Sequence, residues 1–452
     1  MFVERKLNGW GRYSSSWGRV YRPEKLALAA SIIKSQEELS FVGRGQGRSY
    51  GDAALNLDQG LVLTQRLNRF LSFDPATGCL ECEAGVTLEE ILTVFVPRGW
   101  FLPVTPGTKF ASIGGCVACD VHGKNHNKDG SFGNSIEAIE VLQGQGEVVR
   151  CSPVEQPEFF WATVGGMGLT GLIVAVKLRL RPIETAYIKV DYERAGNLEE
   201  AVGLMEEGAA GYDYSVAWMD CVAGGSSLGR SLLIRGNHAG RSELRPGLAA
   251  SPLNAPSRSS INLPVDLPAF TLNPLSLRVF NGLYFGHSSR VKNSVVLDYD
   301  RFFYPLDTVR QWNRMYGSRG FLQYQCVIPA ENSLAGLTAV LKQLHRNRCT
   351  SFLGVLKRFG RGNGYLSFPL EGFTLSLDFP MRGDRLLTCL EQVDDLVIRH
   401  GGRVYLAKDA RLSPRSFRQM YPDFPRWQQI KREVDPSDRF SSDLSRRLEL
   451  TA

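Results

Sequence analysis

The chain has 452 residues, more than one ordinary core accommodates, so two domains of roughly 150 to 250 residues are expected. Hydrophobic residues make up 43% and charged residues 22%, proportions that exclude a disordered chain or a membrane bundle. The net charge of +7 is dispersed, with no basic block interleaved with aromatics, which disfavours nucleic acid and hints at anionic ligands such as phosphates or acidic lipid headgroups.

No apolar run reaches the ~18 to 20 residues of a membrane span. The N-terminal MFVERKLNGWGRY has no apolar core followed by a small-residue cleavage site, so a cytoplasmic protein is expected. Nine cysteines, an odd number, point to reduced thiols.

In chain order, the first strong local feature is VGRGQGRSYGD over residues 42–52. A Rossmann fingerprint needs glycine at its sixth position, where Arg48 stands, so that dinucleotide fold is not supported. Alternating Gly43, Gly45 and Gly47 instead free the backbone to turn N–H groups inward, as a nest for a pyrophosphate or as a plain tight turn. Leu61 to Leu63 reads as a strand. Cys79/Cys82 and Cys116/Cys119 superficially suggest zinc, but alternation on a CLECEA strand puts Cys79 and Cys82 on opposite faces, and no metal is expected.

Thr87-Leu-Glu-Glu90 is a capping box ahead of Leu88, Ile91, Leu92 and Phe95, so a helix starts there. A second glycine segment follows: Gly107 in TPGT, then Ser112-Ile113-Gly114-Gly115, then Cys119-Asp120-Val121-His122. Its glycine pair lets backbone approach a phosphate at a short helix's start, where free N–H groups favour an anion. Ile139 to Leu142 and Leu172 to Leu180 read as strands, and Gly165, Gly166, Gly168 and Gly171 give a third close approach. A composition change places a boundary near Pro182 to Ala186. Residues 237–274, rich in Pro, Ser, Asn and Gly, read as a long mobile loop, either a lid or a surface excursion. In Phe321 to Gln325, alternation puts Gln323 and Gln325 on one face, ready for a polyol or simply a polar sheet face. Gly402 to Leu406 reads as a strand running into Lys408.

With GRGQGRSYGD, TPGTKFASIGG, DVHGKNHNKDGSFGN, FWATVGGMGLTG and YLAKDAR in that order, the chain resembles the vanillyl-alcohol-oxidase type of FAD-binding oxidoreductases from about Gly9 to Leu450. More narrowly, it resembles the branch that oxidises a polyprenyl-phosphoryl ribose. The resemblance implies an α+β architecture of two domains: a PCMH-type FAD-binding fold over 1–186 and 403–452, and a substrate domain over 187–402 on a large antiparallel sheet, holding the 237–274 loop. It implies FAD contacts from Gly43, Arg44, Gly45, Gln46, Gly47, Arg48, Ser49, Tyr50, Gly51, Asp52 and Ala53. Further implied contacts are Gly107, Ser112, Ile113, Gly114, Gly115, Cys119, Asp120, Val121, His122, Ile173 and Tyr405. Many relatives tether the flavin to a histidine in the first loop; this loop has none, so FAD is expected to be noncovalent.

The resemblance also assigns catalysis to Lys408, His122 and Tyr50, and substrate contacts to Gln323, Gln325, Lys357, Ser376 and Lys408. Ser376 departs from the cysteine found at this place in mycobacterial relatives. The implied reaction is oxidation of the ribose 2′-hydroxyl to a ketone, with a separate NAD(P)H-dependent keto-reductase completing an epimerisation. A quinone or other acceptor would take up the electrons, and peripheral membrane contact would come through apolar parts of 237–274. The competing readings are an aldonolactone or alditol oxidase acting on a free sugar, and a flavin-binding module without catalysis.

Overall fold

The computed structural model describes residues 2–36, 38–256, 260–268, 274–287 and 294–451. Its largest sheet is antiparallel throughout. The strand order is Val295–Asp298, Tyr187–Ala195, Ser231–His238, Tyr214–Met219, Gly354–Phe359, Gly372–Pro380, Phe321–Pro329 and Arg403–Val404. Alternation sorts its side chains between two faces. Leu322, Tyr324, Cys326 and Ile328, with Phe373, Leu375, Leu377 and Phe379, fall on one face and are buried. They share a core with Leu337, Val340, Leu341 and Leu344 of helix Ser333–Arg346, and with Leu386, Leu390, Val393 and Val397 of helix Asp384–Arg399. Spacings of three and four residues give each helix the apolar stripe that such packing requires. The opposite face carries Gln323, Gln325, Thr374, Ser376 and Asp378 and looks into a cavity.

Two smaller sheets hold the glycine loops. In a four-stranded sheet, Phe41–Arg44 and Ser15–Tyr21 flank Gly60–Leu63 in parallel, and the first loop leaves the end of the Phe41–Arg44 strand. A five-stranded sheet orders Phe70–Asp74, Cys79–Glu83, Leu172–Arg179, Ile136–Leu142 and Val148–Cys151. The expected strands at 61–63 and 139–142 lie within these, and the one expected over 172–180 ends one residue sooner, at Arg179. The capping box at Thr87 is present: Glu90 N donates to Thr87 Oγ1, Thr87 N donates to Glu90 Oε2, and helix Leu88–Phe95 follows.

Two expectations need correction. The strand read over 402–406 is only Arg403–Val404. From Tyr405 the chain coils, Lys408 N and Asp409 N both donating to Tyr405 O, which frees Ala407 O to accept from Tyr50 N at 3.0 Å. The segment 237–274 is not one irregular excursion where it is described. His238 ends a sheet strand, Pro246–Ala249 is a helical turn with proline in its first turn, and Ile261–Asn262 pairs with Val309–Arg310. Residues 257–259 and 269–273 of that reading lie outside the described residues.

Candidate active site

A cavity of about 950 Å³ lies against the polar sheet face. Register builds its wall in rows. Gln325 stands opposite Ser376, Ser376 opposite Val355, and Val355 opposite Trp218, so one row crosses four strands from polar to apolar. Gln323 faces Asp378 in the row on one side, and Lys357 faces Thr374 on the other. Val216 and Ile234, themselves paired, extend the apolar end.

The two glycine segments supply much of the remaining lining and touch each other. A Cβ on Gly45 would fall 1.9 Å from Ser112 Oγ. Ser49 Oγ lies 3.7 Å from Cys119 Sγ. A Cβ on Gly51 would fall 1.8 Å from the Asp409 carbonyl oxygen, so the first loop is seated directly on the turn that carries Lys408. These surroundings fit FAD. Gly47 has φ +64°, as a nest requires, and Gly107 and Gly168 line the cavity with no atom within 4 Å of where a Cβ would sit. Arg48 brings a cation whose buried Nε has no partner among the described residues, stacked over Trp10 at 4.1 Å.

Lys408 Nζ lies over the Tyr50 ring. Burial pulls the Lys408 amine down to about 7, opposed by the charge of Asp378. Burial pushes the Asp378 carboxyl up to about 6, against a hydrogen bond from Gln323 and the charge of Lys408. Asp378 also accepts from Tyr316 OH at 3.3 Å, and its backbone N donates to Ser351 Oγ at 3.0 Å. Burial raises the Tyr50 phenol well above 10, so it stays protonated.

His122 is held neutral: burial, then the nearby Lys357, depress it well below 6.5. Its tautomer follows from the network. Thr374 Oγ1 donates to Cys326 O at 2.8 Å and therefore accepts from Gln325 Nε2 at 3.1 Å. That fixes the Gln325 amide with nitrogen toward His122 Nε2, 2.9 Å away, so Nε2 accepts and Nδ1 carries the proton.

Of the expected cofactor contacts, Gly43, Gly45, Gln46, Gly47, Arg48, Ser49, Tyr50, Ala53, Gly107, Ser112, Gly114, Gly115, Cys119, Val121, His122, Ile173 and Tyr405 line the cavity. All five expected substrate residues line it too. Arg44, Gly51, Asp52, Ile113 and Asp120 do not. Asp52 pairs with Arg447, which also holds Asp409. Asp120 accepts from Ser131, Gly133 N and Ser367. Arg44 donates to Ala54 O and Asn8 O, and Ile113 is core. These five shape the loops from behind. Sequence reasoning missed Asp378, Lys124, Trp10 and Trp218. Alternation from Ser376 points to Asp378, and Lys124 lies inside the DVHGK motif, but nothing local marks the two tryptophans. Of the cysteine pairs, Cys79 Sγ donates to Glu137 at 3.1 Å, and no cluster of three potential metal ligands occurs among the described residues.

A family profile described as an FAD binding domain matches residues 19–152, and one described as D-arabinono-1,4-lactone oxidase matches 376–448. The chain is 38% identical over 453 residues to decaprenylphosphoryl-β-D-ribose oxidase of Mycolicibacterium smegmatis, covering 99% of this chain and 98% of that one. The chain belongs to the decaprenylphosphoryl-β-D-ribose oxidase family. Its fold is accordingly the two-domain α+β arrangement with a PCMH-type FAD-binding unit. An uncharacterized Streptomyces coelicolor protein is 33% identical over 382 residues, 81% of this chain and all of that one. Likeness to Delta(24)-sterol reductase of Homo sapiens is confined to 129 residues at 29% identity, 28% of this chain and 25% of that one. The ribose-oxidase family alignment thus takes in the sheet wall with Gln323, Gln325 and Lys357 as well as the glycine loops.

Proposed function

We propose that this protein oxidises the 2′-hydroxyl of a polyprenyl-phosphoryl-β-D-ribofuranose to the ketone. The observation that carries the reading is family membership along 99% of the chain, together with a cavity in which Lys408, Tyr50 and Asp378 meet the Gln323/Gln325 wall. FAD, when bound, supplies the two-electron acceptor for the carbon-bound hydrogen. The first loop, the Gly114-Gly115 turn and Arg48 would hold it.

Oxidising an alcohol also requires a group to take the hydroxyl proton. Lys408 is suited because burial brings its amine close to neutrality, where an appreciable fraction is free base. Gln325 has its amide nitrogen committed to His122 and Thr374, leaving its carbonyl to accept from a sugar hydroxyl. Lys357 and His122 stand where the apolar part of the wall begins.

FAD is held without a covalent bond in this reading. The first loop has no histidine, and Cys119 is a poor nucleophile because burial pushes its thiol up to about 11. The 2-keto product calls for a separate NAD(P)H-dependent keto-reductase, and a quinone is a suitable acceptor for the electrons. Among the described residues no helix is long and apolar enough to cross a membrane. Exposed Ile261 and Val265 offer apolar side chains for peripheral contact with the bilayer that carries the substrate. The lactone-oxidase profile covers only 376–448, which holds Lys408 but not the glutamines or Lys357, so it speaks less for a free-sugar oxidase.

The test is to incubate FAD-loaded protein with a polyprenyl-phosphoryl ribose and a quinone, then trap the product with borodeuteride. One deuterium at C2 is expected. Its absence, or deuterium at another carbon, overturns the assignment.

A further inference from the structure

Three lysines line the cavity, and among the described residues only one has a carboxylate to answer its charge. Lys408 feels Asp378. Lys124 and Lys357 form no ion pair among the described residues. The Lys124 ammonium donates to the Phe302 carbonyl and lies 4.1 Å from the centre of the Phe302 ring. Among the described residues the Lys357 amine has one side-chain partner in hydrogen-bond range, His122 Nδ1 at 3.5 Å. The network above makes that nitrogen a donor, so Nδ1–H and the Lys357 ammonium face each other with no acceptor between them.

The geometry also brings Lys124 to this point. Its carbonyl accepts from Ser215 N at 2.9 Å, which anchors it beside the start of the Tyr214–Met219 strand, and that strand pairs with the Lys357 strand. Two cations and an imidazole N–H thus converge where the wall changes character. Gln325, Ser376 and Asp378 lie to one side, and Val216, Trp218 and Ile234 to the other. An anion joined to a polar group at one end and an apolar chain at the other matches this order.

We propose that Lys124, Lys357 and the Nδ1–H of His122 form a subsite for a phosphodiester monoanion bearing an apolar chain. The inference rests on the reading under Proposed function and deepens it by adding Lys124 and the orientation of the ligand: sugar toward Gln325 and Lys408, chain toward Trp218. Burial depresses both amines, Lys357 to about 8 and Lys124 to about 7, with the charge of Lys357 adding to the effect on Lys124. An anion reverses that depression, so binding at pH 8 is accompanied by proton uptake.

Calorimetry on FAD-loaded protein tests this with farnesyl methyl phosphate, dimethyl phosphate and farnesol. Farnesyl methyl phosphate is expected to bind roughly ten- to a hundredfold more tightly than farnesol, the size of one or two charge-assisted hydrogen bonds. Dimethyl phosphate should bind weakly, and the heat at pH 8 should vary with buffer ionisation enthalpy in the sense of proton uptake. Lys124→Met is expected to remove most of the preference for the phosphodiester and leave farnesol unaffected, with Lys124→Arg restoring it. In turnover, Lys124→Met should raise KM more than it lowers kcat. Equal affinity for farnesyl methyl phosphate and farnesol in the unaltered protein, or a Lys124→Met protein with the full preference, overturns the subsite. A protein that prefers the phosphodiester but oxidises no ribose retains the subsite and loses the proposed reaction. One that oxidises the ribose without that preference does the reverse.

Discussion

The side-chain nitrogen of Lys408 sits 3.7 Å from the centre of the Tyr50 ring. The contact joins the turn after the last sheet strand to the first glycine loop, and Tyr50 N, bonded to Ala407 O, holds the two together. A lysine so placed is desolvated on one side by an aromatic face while Asp378 acts on it electrostatically.

Turnover is expected to rise with pH and level off, because the productive form of Lys408 is the free amine and its midpoint lies at about 7. Asp378 favours the ammonium, so Asp378→Asn should move the rising limb of kcat/KM to lower pH. Lys408→Met should lower kcat by roughly 10²- to 10⁴-fold, the usual worth of a positioned proton acceptor, with FAD retained. Rate profiles between pH 5 and 10 on all three proteins check this; an unmoved limb in Asp378→Asn contradicts the coupling.

Gly51→Ala should separate the first loop from the Lys408 turn, since its Cβ would meet the Asp409 carbonyl at 1.8 Å and backbone cannot step aside cheaply. A loss of about 1–3 kcal/mol is expected, as for other overpacked sites, along with weaker FAD retention. Chemical denaturation and flavin content after gel filtration measure the two effects.

Gln325→Leu should leave Thr374 without its donor and His122 Nε2 without its partner. A stability loss of about 1–3 kcal/mol is expected for the stranded polar atoms, and His122 should lose its fixed tautomer. Nitrogen chemical shifts of the His122 ring report that directly, with Nδ1 protonated in the unaltered protein.

Acid precipitation of FAD-loaded protein should release the flavin entirely into the supernatant. Flavin colour persisting in the washed pellet would show a covalent link, and Cys119 and His122 would then be the residues to examine.

Much of this site was legible in the sequence because its determinants are local. Gly45 and Gly51 are required by close backbone approaches, and Gln323 and Gln325 share a face by simple alternation. Tyr405 and Leu406 read as strand because YL has strand-like composition, yet they open the turn to Lys408; the turn is seated against the glycine loop from roughly 350 residues earlier in sequence, and no local pattern carries that. Asp52 and Asp120 stand beside true lining residues, yet their side chains turn away to Arg447 and to Ser131 and Ser367. Lys124 lies inside the DVHGK motif, but its significance is the lack of a carboxylate partner among the described residues, which is a property of the folded cavity.

The most direct measurement is anaerobic stopped-flow mixing of FAD-loaded protein with a polyprenyl-phosphoryl ribose carrying hydrogen or deuterium at C2. Full bleaching of the oxidised flavin band is expected, slowed several-fold by deuterium. A flavin band that stays oxidised at saturating substrate would contradict the proposed reaction.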